Sequence, residues 1–326
     1  MDSEDADSAI AMAFGKDPTN VKDRKDLVVR TTANPPAAET YRANVPISRF
    51  FQTDYAIYAE YDVDRKIPSV CDGLKTCARK IMWVAWERNY VCSASRVKVA
   101  QLGAAVAERT MYLHGETSLS TAVVTLAQNF TGTNNCSLLF PDGDFGTRVG
   151  NPPSAARYIH THLTDFASSI FSKLDKAVMK YRTEEGVSIE PAVLYPCLPP
   201  ILINGNQCAI ATGFSCEVPS YKPEDVMANV RNFIAGRAFV DMTPWFRGFT
   251  GKVLPGALIL TLLARRIFSD VTQICIGVLD FAPQLIQCSL SVRIHGLHAH
   301  RERYERPVHD VYDAIHAQAR WRATWR

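Results

Sequence analysis

An arginine–tyrosine pair, Arg157-Tyr158, follows a long loop region over 131–156 that is rich in glycine, asparagine and proline. A tyrosine hydroxyl has an ordinary pKa of about 10, so a tyrosine that attacks phosphate needs nearby cations to favour its phenolate and to stabilise the pentavalent transition state. The candidate groups that precede the pair are Lys75, Arg79, Lys98 and His114. The pattern favours a tyrosine that acts on phosphate, although an Arg-Tyr pair is otherwise a structural or surface feature.

Three helical segments precede this pair and must position the cations around it. Apolar residues recur at helical spacing from residue 74 to residue 85, and the pattern predicts further helices over 97–108 and 117–130. Lys75 and Arg79 lie four residues apart, on another face of the first helix. A helix, a turn and a second helix, followed by a polar hairpin-like stretch, indicate a winged helix-turn-helix.

Other elements are predicted on both sides of this unit. Residues 1–30 fit one amphipathic helix with a second beginning near Pro18, and residues 31–46 predict a linker because prolines and small side chains bury little surface. Residues 157–163 alternate as a strand. Further helices are predicted over 50–61, 166–180 and 221–236, the last with Gly236 as its C-cap.

The composition describes a globular protein and excludes several classes. Of 326 residues 47% are hydrophobic and 21% charged, and the acidic N-terminus lacks the features of a secretory signal. The longest apolar stretch, 253–264, is shorter than the roughly 20 residues of a membrane span. The 9 cysteines form no C-x-x-C pair, which argues against a zinc ribbon or a disulfide framework and favours free buried thiols.

Charge is distributed unevenly along the chain. Residues 1–252 carry 27 basic and 27 acidic groups, so any nucleic-acid site there must be a local patch. Residues 253–326 carry 9 Arg and no Lys against 6 acidic groups, together with 5 of the 8 histidines. This shift in composition predicts a boundary near residue 252.

Several long motifs occur in an order that resembles the DNA breakage–reunion region of type IIA DNA topoisomerases of the eukaryotic or viral type. They are DGLKTCARKIMW, KVAQLGAAVAERTMYLHGETSLSTAVVTLAQNFTGTNN, FGTR, SAARYIHTHL, EPAVLYPCLPPILING, AIATGFS and WFRGFTGK, and the similarity spans residues 9–252. The resemblance implies a homodimeric enzyme, dependent on ATP and Mg²⁺, that cuts one DNA duplex, passes another through the break and reseals it. It also implies an α+β fold in which a winged-helix domain leads into a truncated mixed α/β tower domain.

The resemblance implies a catalytic group and a DNA-binding group. The catalytic group is Tyr158 as the nucleophile that becomes a 5′-phosphotyrosine, Arg157 beside it, His114 and Arg79. The DNA-binding group is Lys75 and Lys98 on the DNA-facing helices, and Ile210 as an apolar wedge that unstacks a base step and bends the duplex. From the residues alone, Ile210 also fits a buried core position.

The sequence departs from the family pattern at three places. The first of the two histidines usual before Gly-Glu is Leu113. The loop before the tyrosine reads GNPPSAA, is two residues shorter and lacks the family's lysine, to which one phosphate contact is attributed. Ala209 and Ala211 replace two glycines beside the wedge, and alanine disfavours positive φ.

The resemblance implies four segments along the chain. They are a C-terminal remnant of a Toprim-like domain with a linker (1–46), the winged-helix breakage–reunion domain (47–195), the start of the tower domain (196–252) and a divergent Arg/His-rich tail (253–326). The Mg²⁺ and ATP sites of the full enzyme are expected outside this chain, in Toprim and ATPase portions joined upstream or supplied in trans. We expect double-stranded DNA as partner, no membrane, and action in the nucleus or at a site of DNA replication. The alternative is a catalytically incomplete DNA-binding fragment.

Two groups of histidines leave alternatives open. His160 and His162 share a strand face with Tyr158 in the predicted strand, where they serve either as proton carriers and phosphate donors or as partly exposed polar residues. In the tail, four histidines are either metal ligands or ordinary residues of an Arg-rich segment: His295, His298, His300 and His309.

We predict that residues 253–326 arise from a shifted reading frame. Translation of the same nucleotides in the other two frames, from just before codon 253, should recover a tower-like sequence, and sequencing of the gene checks this. The tail should also be cleaved readily in limited proteolysis, because Arg and His side chains bury little surface. If neither frame yields such a sequence, the tail is a genuine fused segment, whose apolar run LPGALILTLLA docks as a helix.

Overall fold

The computed structural model describes residues 3–36, 45–254, 259–263 and 273–275. The chain divides into two compact units, which we call the helical unit (residues 1–68 and 207–217) and the tyrosine unit (residues 69–206 and 218–326). These limits differ from the predicted domain limits, because the segment 207–217 packs with the N-terminal helices rather than with its neighbours in sequence. The domain limits given by the resemblance stay a prediction.

Four helices form most of the helical unit. They are α1 (Ser3–Phe14), α2 (Pro18–Ala33), α3 (Ile47–Gln52) and α4 (Asp54–Lys66). Asp17 caps α2 by accepting a hydrogen bond from the backbone N–H of Thr19. Pro18 occupies the first helical position, which confirms the predicted start of this helix near Pro18. The predicted helix over 50–61 is two helices, and α2 extends into the predicted linker.

An aromatic cluster and a half-buried arginine hold these helices together. Phe51 is 5% exposed, and its ring makes edge-to-face contacts with Phe14 and Tyr55. Arg24 donates hydrogen bonds to the carbonyl oxygens of Met12 and Gly15 at 2.7 and 2.9 Å. Because these carbonyls lie at the C-terminal end of α1, the arginine satisfies acceptors that the helix leaves unpaired.

The core of the tyrosine unit lies among three helices, α5 (Thr76–Glu87), α6 (Val99–Thr110) and α7 (Glu116–Ala127). Apolar side chains from all three are fully or almost fully buried, among them Ile81, Leu102, Val106, Leu119 and Val123. The three predicted helices are therefore confirmed, although α6 begins two residues later and α7 ends three residues earlier than the patterns indicated.

The tyrosine lies in a turn just before a short antiparallel strand, and not on the longer strand that the sequence predicts. Strand β1 (Val97–Lys98) pairs with β2 (His160–Thr161), with Val97 opposite Thr161 and Lys98 opposite His160. The predicted strand over 157–163 is wrong at its start, because Arg157 and Tyr158 lie in a turn closed by a 2.9 Å hydrogen bond from the Tyr158 N–H to Ala155. The inference that the two histidines share a strand face with Tyr158 fails for the same reason.

The rest of the tyrosine unit alternates short strands and helices. In chain order these are α8 (Asp165–Ile170), a 3-10 turn (Lys173–Ala177), β3 (Tyr181–Glu184), β4 (Val187–Pro191), α9 (Pro200–Asn204) and α10 (Pro223–Ile234). The predicted helix over 166–180 is broken after α8, where Ser172 caps the 3-10 turn. The predicted Gly236 terminus is confirmed, because Gly236 follows α10 in a left-handed conformation with φ of +66°.

Two further sheets complete the described residues. Strands β5 (Asn206–Ala211) and β6 (Phe214–Val218) form a two-stranded sheet joined by a two-residue turn. Strands β7 (Lys252–Leu254), β8 (Ile259–Leu263) and β9 (Gln273–Cys275) form an antiparallel sheet. The alternative that placed a helix over this apolar run is therefore wrong for β8, and the four tail histidines lie outside the described residues.

Seven cysteines of the described part form no disulfide, as predicted, but none of the seven is fully buried. Cys92 and Cys208 are exposed and the other five are half-buried. The expectation of buried thiols is wrong for these residues, because Cys71 lies in a turn, Cys208 is exposed on β5, and Cys77 and Cys197 are only partly buried against the apolar core.

We predict that removing one partner of the buried ion pair between α5 and β4 strongly destabilises the fold. The Lys80 ammonium lies 2.8 Å from a Glu190 carboxylate oxygen and 2.8 Å from the Thr110 carbonyl oxygen, and the Glu190 side chain is 0% exposed. Lys80→Ala leaves a buried carboxylate without its cation, so the free energy of unfolding should fall by about 3–5 kcal/mol in urea titrations. Arg88→Ala is the matched control.

The control removes an ion pair of the same kind at the surface. Arg88 pairs with Glu108 at 3.0 Å, with side chains 40% and 75% exposed, and its loss should cost less than about 1 kcal/mol. Equal losses in the two variants would contradict the prediction.

Candidate nucleic-acid cleavage site

The first turn of α6 holds the turn that carries Tyr158. The backbone N–H groups of Val99 and Ala100 donate to the carbonyl oxygens of Ile159 and Ala156, each at 3.0 Å. A helix leaves its first N–H groups without partners inside the helix, and the tyrosine turn supplies two of those partners. The turn is thus fixed on both sides of Tyr158 by backbone hydrogen bonds.

The side chains of this turn alternate between core and solvent. Ile159 is 2% exposed and anchors the turn in the core, whereas the Tyr158 ring is 71% exposed. The Arg157 guanidinium carbon lies 5.5 Å from the centre of the Tyr158 ring, within the range of a cation–π contact. The phenol therefore stands in solvent with a permanent positive charge beside it.

Beneath the turn, one glycine allows the preceding loop to approach closely. Gly143 has φ of +118°, and a Cβ atom there would lie 2.9 Å from a methyl carbon of Ile159. The loop is further closed by Asp144, whose carboxylate accepts hydrogen bonds from the Gly146 N–H and the Ser154 hydroxyl. The Gly/Pro-rich region is thus a hydrogen-bonded support for the tyrosine.

Two further cations precede α6, one on strand β1 and one next to it. Lys98 is exposed, directly precedes α6 and lies opposite His160 in the β1–β2 ladder. Arg96 is 53% exposed and pairs with Asp142 at 2.8 Å, and Asp142 in turn pairs with His160 through two backbone hydrogen bonds. Sequence reasoning missed Arg96, because no motif contains it. Arg96 directly precedes β1, and the pairing of β1 with β2 connects it to the strand that follows Tyr158.

Arg79 is not among the exposed cations, although the resemblance implies that it belongs to the catalytic group. It is 2% exposed, and its Nε and Nη2 groups donate to Asp72 at 2.6 and 3.1 Å, with a further bond to the Leu74 carbonyl oxygen. Asp72 is 0% exposed and also accepts from the backbone N–H groups of Leu74 and Leu194. The buried carboxylate draws the arginine inward because an unpaired charge there would be costly.

Lys75 lies at the start of α5, and His114 lies in the loop between α6 and α7. Lys75 is the N-cap residue of α5 and is half-buried. His114 contacts the Tyr112 ring edge-to-face, with ring centres 5.4 Å apart, and the Tyr112 hydroxyl accepts a 3.8 Å hydrogen bond from the Cys77 thiol. Leu113, which replaces the first histidine of the family motif, is 84% exposed.

Ile210 lies in the helical unit, on β5, and is exposed. It is 67% exposed, whereas its neighbour Ala209 is 2% exposed, so the strand turns the isoleucine side chain outward. The alternative of a buried core residue is therefore wrong. Ala209 and Ala211 have ordinary strand conformations and no positive φ, so the replacement of glycine causes no strain here.

Comparison with known proteins identifies the family. Among solved structures, the topoisomerase II DNA-binding, cleavage and re-ligation domain of Plasmodium falciparum matches with a TM-score of 0.70 and 32% identity, covering 87% of this chain and 39% of that one. A family model that describes the A subunit of DNA gyrase/topoisomerase IV matches residues 65–261, more than half of the chain. The chain belongs to this topoisomerase family.

Two relatives of this topoisomerase chain are both named DNA topoisomerase 2. DNA topoisomerase 2 of Meyerozyma guilliermondii is 40% identical over 257 residues, which is 77% of this chain and 18% of that protein. DNA topoisomerase 2 of Saccharomyces cerevisiae is 36% identical over 277 residues, or 83% of this chain and 18% of that protein. The resemblance to the breakage–reunion region is confirmed, and the chain spans about a fifth of the length of these relatives.

The comparisons correct one boundary. The family match continues to residue 261, so the expected end of the similarity at Lys252 is too early.

Neither a metal site nor a membrane span is found in the described part of this topoisomerase chain. No three His, Cys, Asp or Glu side chains come together there in a way that could hold an ion. No described helix is long and apolar enough to cross a membrane.

His162 generates a pH prediction. Its ring stacks on Phe140 with centres 4.8 Å apart, and its Nδ1 atom is buried without a hydrogen-bond partner among the described residues. Burial lowers the pKa of His162 below its ordinary 6.5, more than the charges of Asp142 and Asp165 raise it. At pH values just below 6.5 the unfolded chain therefore binds more protons than the folded chain, so the free energy of unfolding rises with pH.

We therefore expect the free energy of unfolding to fall as the pH is lowered from about 7 to about 5.5. It should fall less in His162→Phe, because phenylalanine keeps the stacked ring pair but cannot bind a proton. Urea titrations at both pH values measure the two slopes. Parallel pH dependences in the two proteins would show that His162 is not the group responsible.

Proposed function

We propose that this chain is the DNA-cleaving and rejoining segment of a type II topoisomerase, with Tyr158 as the nucleophile. The observation that carries the proposal is the exposed Tyr158 ring, fixed by the first turn of α6 and flanked by the Arg157 guanidinium 5.5 Å from its centre. Family membership and the similarity to a re-ligation domain support the same chemistry.

The proposed reaction is a reversible transesterification. The Tyr158 phenolic oxygen attacks a backbone phosphorus and gives up its proton, the bond from phosphorus to the 3′-oxygen breaks, and the 3′-oxygen takes up a proton. One phosphodiester replaces another, so the step needs no oxidant, reductant or external energy. Arg157 stabilises the negative charge that builds up on the phosphorane, which is why its effect belongs to the transition state more than to binding.

DNA binding rests on two kinds of side chain, cations that meet phosphates and an apolar wedge. Lys98 and Lys75 contact phosphates, which predicts weak binding that falls with salt. Ile210 enters the duplex between two base pairs and bends it, in keeping with its 67% exposure on a strand. His114 acts beside the reacting phosphate. Arg79 supports the site through Asp72 and Leu74, and a direct phosphate contact requires that it leave that buried pair.

The activity of the whole enzyme is part of the proposal rather than of this chain alone. Relatives named DNA topoisomerase 2 are several times longer, since the matched part of this chain covers 18% of their length. ATP hydrolysis, Mg²⁺ binding, homodimer formation and strand passage belong to that larger assembly, with the winged-helix and tower domains as its DNA-binding framework. We place it in the nucleus or at a site of DNA replication.

A second candidate is a DNA-binding fragment that needs Toprim and ATPase parts in trans. The absence of a three-residue acidic, histidine or cysteine cluster from the described residues favours it. Both candidate functions include DNA binding. They differ in whether the chain takes part in repeated cleavage and rejoining of DNA.

The decisive test is trapping of a covalent protein–DNA adduct. The chain is mixed with a purified Toprim-containing part, Mg²⁺ and supercoiled DNA, and the reaction is stopped with denaturant. We expect adduct with the parent chain and none with Tyr158→Phe, because the variant lacks only the attacking oxygen. Arg157→Ala should keep DNA affinity nearly unchanged and slow cleavage by about 100-fold or more, since one transition-state donor is lost.

Tyr58→Phe is the matched control, because Tyr58 is also an exposed tyrosine, at 56%, but lies in the helical unit. It should form adduct at the parental rate. Adduct formation by Tyr158→Phe would overturn the assignment, and absence of adduct from every variant, with DNA binding intact, would favour the DNA-binding fragment.

A further inference from the structure

One buried carboxylate ties the strand pair that carries Ile210 to helix α4. Asp62 Oδ2 accepts two hydrogen bonds from Thr212, one from the backbone N–H at 3.0 Å and one from the hydroxyl at 3.1 Å. Thr212 is the first residue of the turn between β5 and β6, two residues after Ile210. Both ends of this contact lie within the helical unit.

The carboxylate is charged although it is buried. The Asp62 side chain is 8% exposed, and its other oxygen lies 2.6 Å from the Lys66 ammonium, one helical turn away. Burial pushes the pKa of Asp62 upward, but the hydrogen bonds from Lys66 and Thr212 and the charge of Lys66 outweigh it, so the pKa lies below its ordinary value. A charged acceptor makes stronger hydrogen bonds than a neutral one.

The other residue of the turn is fixed from a second side. Gly213 has φ of +76°, and a Cβ atom there would lie 3.2 Å from the backbone nitrogen of Lys25 on α2. Next to it, the Lys25 ammonium lies 5.8 Å from the centre of the Phe214 ring. Helix α2 thus limits where the turn can lie, and Asp62 holds it there by directed bonds.

We propose that Asp62 is a positioning residue that holds the β5–β6 turn so that Ile210 can enter and bend a DNA duplex. The inference rests on the proposed wedge function of Ile210. Separating two base pairs costs free energy, so a wedge on a mobile hairpin would move aside instead of unstacking the step. The Asp62–Thr212 bonds supply the required rigidity within two residues of the wedge, where the apolar Ile210 side chain has no polar anchor of its own.

The test compares DNA bending by the parent chain and its variants. The probe is a short duplex labelled at both ends, and fluorescence energy transfer reports the end-to-end distance at saturating protein. Asp62→Ala removes both bonds to Thr212, and Thr212→Val removes only the hydroxyl bond while keeping the side-chain volume. Asp54→Ala is the matched control, because it removes an exposed carboxylate from the first turn of the same helix.

We expect Asp62→Ala to reduce the bending signal by about two-fold or more, Thr212→Val to reduce it partly, and Asp54→Ala to leave it unchanged, because bending depends on a fixed wedge. Thr212→Ser keeps the hydroxyl group and should therefore bend DNA as much as the parent chain does. Equilibrium affinity in low salt should change little, since the phosphate contacts remain. A simple folding defect would instead lower affinity and bending together.

Amide hydrogen exchange provides the independent readout. In Asp62→Ala the segment 206–218 should lose protection while the core helices of the tyrosine unit keep theirs. Unchanged protection there, or parental bending by a folded Asp62→Ala, overturns the positioning role. Ile210→Ala separates the wedge function of Ile210 from the positioning role of Asp62. If this variant bends DNA as well as the parent does, the wedge function fails, and the role of Asp62 fails with it.

Discussion

Two backbone hydrogen bonds from the first turn of α6 determine where Tyr158 stands. The N–H groups of Val99 and Ala100 would otherwise lack partners, and the carbonyl oxygens of Ile159 and Ala156 supply them. Because these bonds bracket the tyrosine, the ring is carried by a helix terminus rather than by a free loop. The β1–β2 ladder, Gly143 beneath Ile159 and the Asp144 bonds all serve to keep this turn against the helix.

Buried charges recur in this chain as ties between segments. Asp72 joins α5 to the segment after β4 through Arg79 and the Leu194 N–H, Glu190 joins β4 to α5 through Lys80, and Asp62 joins α4 to the β5–β6 turn. Replacement of such a pair by apolar residues is often neutral for stability, so its value lies in the directed geometry that it imposes. Arg79 shows the consequence, since a residue expected at the DNA surface is fixed inside the protein.

The two proposed functional side chains depend on different supports. Tyr158 lies in the tyrosine unit and is held by backbone bonds, whereas Ile210 lies in the helical unit and is held through a side-chain carboxylate two residues away. A nucleophile must meet one phosphorus atom in a narrow range of angles, and a wedge must resist force. The rigid helix terminus suits the first demand and the doubly fixed turn suits the second.

The sequence by itself determined the family, the three core helices, the pairing of the tyrosine with its arginine and the neutral charge of residues 1–252. These follow from long ordered motifs and from apolar periodicity, which are local properties of the chain. Strand limits at 160–161, the inward turn of Arg79 and the outward turn of Ile210 could not be predicted in this way. Each depends on a partner distant in sequence, such as Leu194 for Asp72 or Thr212 for Asp62, and only the tertiary structure brings those partners together.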